Sequence, residues 1–175
     1  MRKRKRKEVD GYAMYNVLDV CYFVIDYSNS ARYGMSCLKL QKILYFIQAY
    51  FLILPQKRRC CFRDKIEAWD FGPVVPAAYN EFKQFGSGNI PSVDSRIIVD
   101  KNNIWNFRRV AINKNVISFE DKELIIKVVD VFSNYSATDL VTITHRQGPW
   151  INAFDPNCFN EITPEAIQAY FDQEP

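Results

Sequence analysis

The stretch from Ser36 to Leu54, SCLKLQKILYFIQAYFLIL, constrains what this chain can fold into more than any other segment. Leu40, Ile43, Leu44, Ile47, Phe51 and Leu54 recur at steps of three and four, so they share one face of an α-helix and that face must be buried. Ser36 precedes the periodic run and offers a hydroxyl to the unpaired amides of the first turn, while Pro55 forbids continuation. The opposite side carries Lys39, Gln41 and Lys42, but Tyr45, Phe46, Ala49, Tyr50 and Leu52 leave little else polar. Such a helix is expected to be wrapped by neighbours on most sides, and the rest of the chain has to supply them.

With 175 residues, 48% of them hydrophobic, the chain can build one compact core but not two comfortable ones. The expectation is a basic tail over residues 1–11 and a single domain over 12–175. The longest apolar runs, Val20 to Ile25 and Ile43 to Leu54, fall short of the roughly 18–20 residues that span a bilayer. No small-residue cleavage site follows the basic N-terminus, so a cytoplasmic location without membrane contact is expected. Five cysteines without CxxC spacing, and one histidine, give no zinc pattern and no disulfide framework; reduced thiols are expected. The scattered glycines form no phosphate loop, so neither a metal nor a cofactor is expected.

The net charge of +3 is unevenly placed. Arg2, Lys3, Arg4, Lys5, Arg6 and Lys7 lie together, and without these six of the 23 basic residues the remaining 17 face 20 acidic ones. The body is therefore mildly acidic, and the tail is expected to be disordered. It can be read as a weak, salt-sensitive, sequence-blind contact for nucleic acid, or as a solvated leader or contact for an acidic partner. No aromatic interleaves it and no basic recognition helix is evident, which argues against specific reading of DNA.

Along the chain, periodicity and capping predict helices over residues 12–27, 77–85, 119–132 and 137–145, one further turn over 150–154, and a terminal helix from Pro164. Ser118 to Asp121 and Ser136 to Asp139 both have capping-box spacing, and Gly148-Pro149 reads as a stop. IEAWDF, residues 66–71, reads as extended, and residues 97–99, 104–107 and 110–112 as a small β-hairpin insert. The fold class is mainly α: six or seven helices around the central one.

Three segments together are distinctive: LKLQKILYFIQAYFL (residues 38–52), EAWDFGPVVPAAYNEFKQFG (67–86) and THRQGPW (144–150). Their order, spacing and residues resemble the Panacea domain family of SocA-like antitoxins and phage-associated proteins, over roughly residues 12–171. The resemblance implies a mostly helical cytoplasmic domain that binds proteins. In that family, members neutralise varied small toxins encoded beside them, one branch delivers its toxin to an AAA+ protease, and many sit in phages and prophages. The basic tail lies outside the family motif, and the extended insert is longer than the family leads one to expect.

Six residues are candidates for contact with such a partner. Gln41 and Lys42 lie on the side of the central helix expected to be polar, where they either contact a partner, stay solvated, or tether a carboxylate such as Glu67. Trp69 and Tyr79 place aromatic area around the rigid turn of Gly72 and Pro73, suited equally to a core and to an interface. His145, five residues before Trp150, has no nucleophile or acid at catalytic spacing, so it reads as a donor capping a helix C-terminus rather than as a general base. Three functions remain: an antitoxin acting by direct contact, a phage-borne adaptor or inhibitor of a host protein, and, least supported, an enzyme using His145 or Cys37.

Overall fold

The computed structural model describes residues 14–100 and 102–173. The basic run and the tail lie outside the described residues. Helix α1 (Val17–Ser30) begins at Asn16, whose side chain accepts from the Leu18 amide. It starts later than the expected Tyr12 because Tyr15 is extended, exchanging backbone hydrogen bonds with the segment around Phe62. Helix α2 (Cys37–Ile53) is the predicted central element, capped by Ser36, which accepts from the Lys39 amide. Fourteen of its 17 residues are buried.

Around α2 the chain lays β1 (Ile66–Trp69), β2 (Gly72–Val74), α3 (Pro76–Phe82), a short 3-10 turn (Lys83–Phe85), β3 (Ser95–Val99) and β4 (Phe107–Ala111). Then follow α4 (Phe119–Val131), α5 (Ala137–Thr144), α6 (Gly148–Ala153), β5 (Glu161–Ile162) and α7 (Pro164–Phe171). The fold is mainly α with a small β-hairpin insert, as the sequence predicts; a second small antiparallel sheet joins the extended segment at Ile66 to two strands that the sequence does not predict. That sheet has the order β2-β1-β5; the insert is the β3–β4 hairpin. Helices α3, α4, α5 and α7 and strand β2 all contact α2.

Local chemistry sets several boundaries differently from the expectation. Ile104 falls in the β3–β4 connection, where Asp100 and Asn103 accept from nearby amides and turn the chain. Gly148-Pro149 opens α6 rather than closing α5, which already ends at Thr144, since the ring of Pro149 suits a first helical turn. Ser136 and Asp139 form a complete capping box. Ser118 and Asp121 form only half of one: Ser118 accepts from the Asp121 amide, but the Asp121 carboxylate turns away. Rather than a surface cap, Asp121 is a buried clamp, 2.6 Å from both the Tyr15 hydroxyl and an Arg59 nitrogen and 3.0 Å from Lys57 Nζ. Burial pushes its carboxyl pKa up, but the hydrogen bonds from Tyr15 and Lys57 and the Arg59 charge outweigh burial and hold it below the usual aspartate value.

The polar residues of α2 are not its solvent face. Lys39 Nζ donates to Ser133 O at 2.8 Å, Lys42 Nζ to Pro73 O at 2.9 Å, Gln41 Oε1 accepts from the Val75 amide at 2.9 Å, and Gln48 Oε1 from the Cys61 amide at 2.9 Å. Each serves a backbone group of an irregular or strand-edge segment that has no partner in a helix or sheet ladder. The central helix thus supplies both the apolar core and the hydrogen bonds that let non-helical chain pack against it.

Candidate functional site

The β1–β2 hairpin is the element on which the candidate residues meet. Its register pairs Glu67 with Val74, Ala68 with Pro73 and Trp69 with Gly72, leaving Asp70 and Phe71 at the turn. Gly72 has φ +93°, and a Cβ there would lie 2.8 Å from Thr144 Oγ1 and 3.0 Å from Lys42 Cε. Both the backbone angle and the space demand glycine.

Strand β2 is a sheet edge, and its outer side faces α2. Gln41 and Lys42 occupy that side and complete hydrogen bonds that another strand would otherwise make. This corrects the expected polar, solvated side of α2: Lys42 is 0% and Gln41 1% exposed, and Lys42 bonds Pro73 rather than tethering Glu67. In this arrangement neither side chain is open to a partner. Burial lowers the Lys42 ammonium pKa to about 7, against a weaker opposing influence of Cys37.

The aromatic candidates gather about Trp69 at the same hairpin. Trp69 is half-buried, its indole N–H donates to Glu67 Oε2 at 2.8 Å, and its ring centroid lies 5.1 Å from Tyr79 and 4.8 Å from Phe159. Trp150 on α6 donates through its indole N–H to Trp69 O at 3.0 Å. His145 occupies the C-cap position of α5, but its ring does not cap that helix. It stacks on Trp150 at 4.0 Å, with Phe154 stacked on Trp150's indole at 4.6 Å. The Asp70 backbone also lies near enough to act on the His145 ring. Burial first, then the Lys42 charge, lower the His145 pKa; the Asp70 contact opposes them.

All six candidates therefore gather at the β1–β2 hairpin: Trp69 is part of it, Lys42, Gln41 and Trp150 bond its backbone or the residue just past it, Tyr79 packs on Trp69, and His145 stacks on Trp150. Phe71 at the turn is 67% exposed and Phe159 68%, so the exposed rings are these two rather than Trp69 and Tyr79. Phe159 carries no sequence signal, because it precedes a two-residue strand too short to show a period. Of the enzymatic candidates, Cys37 is buried and its thiol pKa is raised, chiefly by burial. Among the described residues no cluster of three or more His, Cys, Asp or Glu could hold a metal.

The fold and the site define a small, mainly α domain whose central helix pins a β-turn from below while stacked rings buttress it from the side. The Antitoxin SocA-like, Panacea domain family matches residues 40–151, from α2 through most of α6, and the chain belongs to that family. The Antitoxin SocA of Caulobacter vibrioides (strain NA1000 / CB15N) is 30% identical over 156 residues, spanning 82% of this chain and 70% of that protein. No solved structure matches the chain. No helix among the described residues is long and apolar enough to cross a membrane.

Proposed function

We propose that the chain is a cytoplasmic antitoxin that neutralises a small toxin protein by direct contact, with no chemistry of its own, and that the ring-bearing β1–β2 turn is part of the contact. Family membership supports the antitoxin role. The observation that carries the contact is the pair of exposed rings, Phe71 on a turn that Gly72 fixes and Phe159 packed on Trp69. Large aromatics on a rigid mount lose little conformational freedom on binding and dominate many interfaces. The basic run Arg2 to Lys7 is a separate, salt-sensitive contact for acidic surfaces or nucleic acid.

The test is a binding measurement with the purified product of the reading frame beside this chain's own gene. Phe71→Ser and Phe159→Ser should each weaken the complex by about tenfold or more while leaving the urea midpoint close to wild type, since both rings are mostly exposed already. Full affinity in the double variant would remove the turn from the interface.

A further inference from the structure

The β3–β4 hairpin presents a face that the rest of the fold does not use. Its register pairs Ser95 with Ala111, Arg96 with Val110, Ile97 with Arg109, Ile98 with Arg108 and Val99 with Phe107. Cross-strand partners share a face and successive residues alternate, so Ile97, Val99, Phe107 and Arg109 stand on one side and Arg96, Ile98, Arg108 and Val110 on the other.

The second side is moored to the body. Arg96 lies within electrostatic reach of the Tyr22 hydroxyl and of Asp19, both on α1. Just beyond β4, Lys114 bridges Asp26 of α1 at 2.9 Å and Asp94 at the foot of β3 at 2.8 Å, and the Ile112 amide donates to Asp94 O. The hairpin is therefore held at its base with a fixed outward face.

That outward face is apolar and uncovered among the described residues. Ile97 is 61%, Val99 49% and Phe107 62% exposed, and the connecting turn adds Ile104 at 69% and Trp105 at 83%. Together these side chains expose on the order of 600 Å², the upper end of what a monomer's largest patch carries and most of the ~800 Å² one partner brings to a standard interface. Arg109 sits within the patch, exposed and without an ion pair among the described residues. The nearby carboxylates are engaged, Asp94 with Lys114 and Asp100 with the Asn102 amide and the Asn106 side chain.

We propose that this outer face docks an acidic polypeptide, whose apolar surface covers Ile97, Val99, Ile104, Trp105 and Phe107 and which offers a carboxylate to Arg109. A second copy of the chain fits poorly, because the same face on a partner copy brings another Arg109 and no free carboxylate to receive it. Single-stranded nucleic acid fits poorly too, since three of the five apolar residues are aliphatic and offer no stacking plane. The proposal rests on the antitoxin reading: the polypeptide is the toxin, and the hairpin, moored on α1, is a contact separate from the turn supported by α2, α5 and α6.

The test uses the purified small protein encoded beside this chain, with wild type, Trp105→Ser/Phe107→Thr and Arg109→Glu. Both variants should keep the wild-type urea midpoint. The first should raise Kd about tenfold or more, mainly through faster dissociation; the second should do so mainly through slower association, most strongly at low salt. Variants that bind within about twofold of wild type would overturn the docking face while leaving the antitoxin reading intact. A wild type that does not bind overturns both. Sedimentation showing a wild-type dimer that the variants dissolve would assign the face to a second copy. Retention of a single-stranded oligothymidylate, lost in the same variants, would assign it to nucleic acid; either result overturns the proposal.

Discussion

Replacing Lys42 by methionine keeps the apolar stem that packs under Gly72 and deletes only the ammonium that donates to Pro73 O. In the unfolded chain a lysine titrates near ~10.4, whereas burial brings Lys42 in the folded protein to about 7. The unfolded state therefore binds more protons between those values, and stability rises with pH across that window. The Lys42 contribution is complete above the unfolded value and is lost as pH falls through the folded one. Integrating the difference in bound protons from pH 7 to pH 9 gives about 2 kcal/mol. Thiols whose pKa values burial raises, Cys21 and Cys61 foremost, work in the opposite sense near the upper end of the window, so the wild-type curve alone is not diagnostic. The diagnostic quantity is the wild-type unfolding free energy minus that of Lys42→Met, from urea titrations at pH 7 and pH 9. It should grow by about 2 kcal/mol in favour of wild type on going to pH 9. A difference that stays flat would show that the ammonium is hydrated, and the account of α2 pinning β2 from a dry interior would fail.

Three further outcomes follow from the same geometry. His145, the sole histidine, should give one titrating imidazole in NMR with its midpoint below the ordinary histidine value, and Lys42→Met should move that midpoint upward; an unshifted midpoint in the variant would place the two groups out of electrostatic reach. Gly72→Ala should cost about 2–3 kcal/mol in urea unfolding, from a strained backbone and a Cβ pressed on Thr144, and a neutral result would contradict the turn geometry. Asp121→Asn should cost about 3–5 kcal/mol at neutral pH by leaving Arg59 and Lys57 without their buried carboxylate. Because the Asp121 pKa is depressed, wild type should also shed that advantage as pH falls below about 4, and an Asn variant with the same acid profile would count against the clamp.

The central helix was legible because its apolar positions repeat at helical steps and Ser36 and Pro55 bracket them. The roles of Lys39, Gln41, Lys42 and Gln48 were not. A helical wheel assigns polar residues to water, whereas here the unpaired backbone of β2, of the segment at Cys61 and of the end of α4 draws those side chains inward. Asp121 was misread for a related reason: capping spacing identifies the backbone bond but not Arg59, which lies far away in sequence. The β1–β2 turn could be anticipated from Gly72 and Pro73, and its aromatic density from Trp69 and Tyr79. That His145 stacks on Trp150 instead of capping α5 depends on where α6 starts, which a Gly-Pro pair leaves ambiguous between a stop and a start. Strand β5 is set by the backbone it pairs with, Ile66 and Glu67, and not by any pattern of its own.

Neutralisation by direct contact is tested most directly by titrating the activity of the toxin encoded beside this chain with purified wild type and His145→Ala, with no protease present. The account predicts rescue that follows the molar ratio and saturates near equivalence, as a tight complex requires, and that persists in the folded His145→Ala protein. Rescue by wild type at a small fraction of the toxin concentration, abolished in a folded His145→Ala variant, would contradict it and restore catalysis.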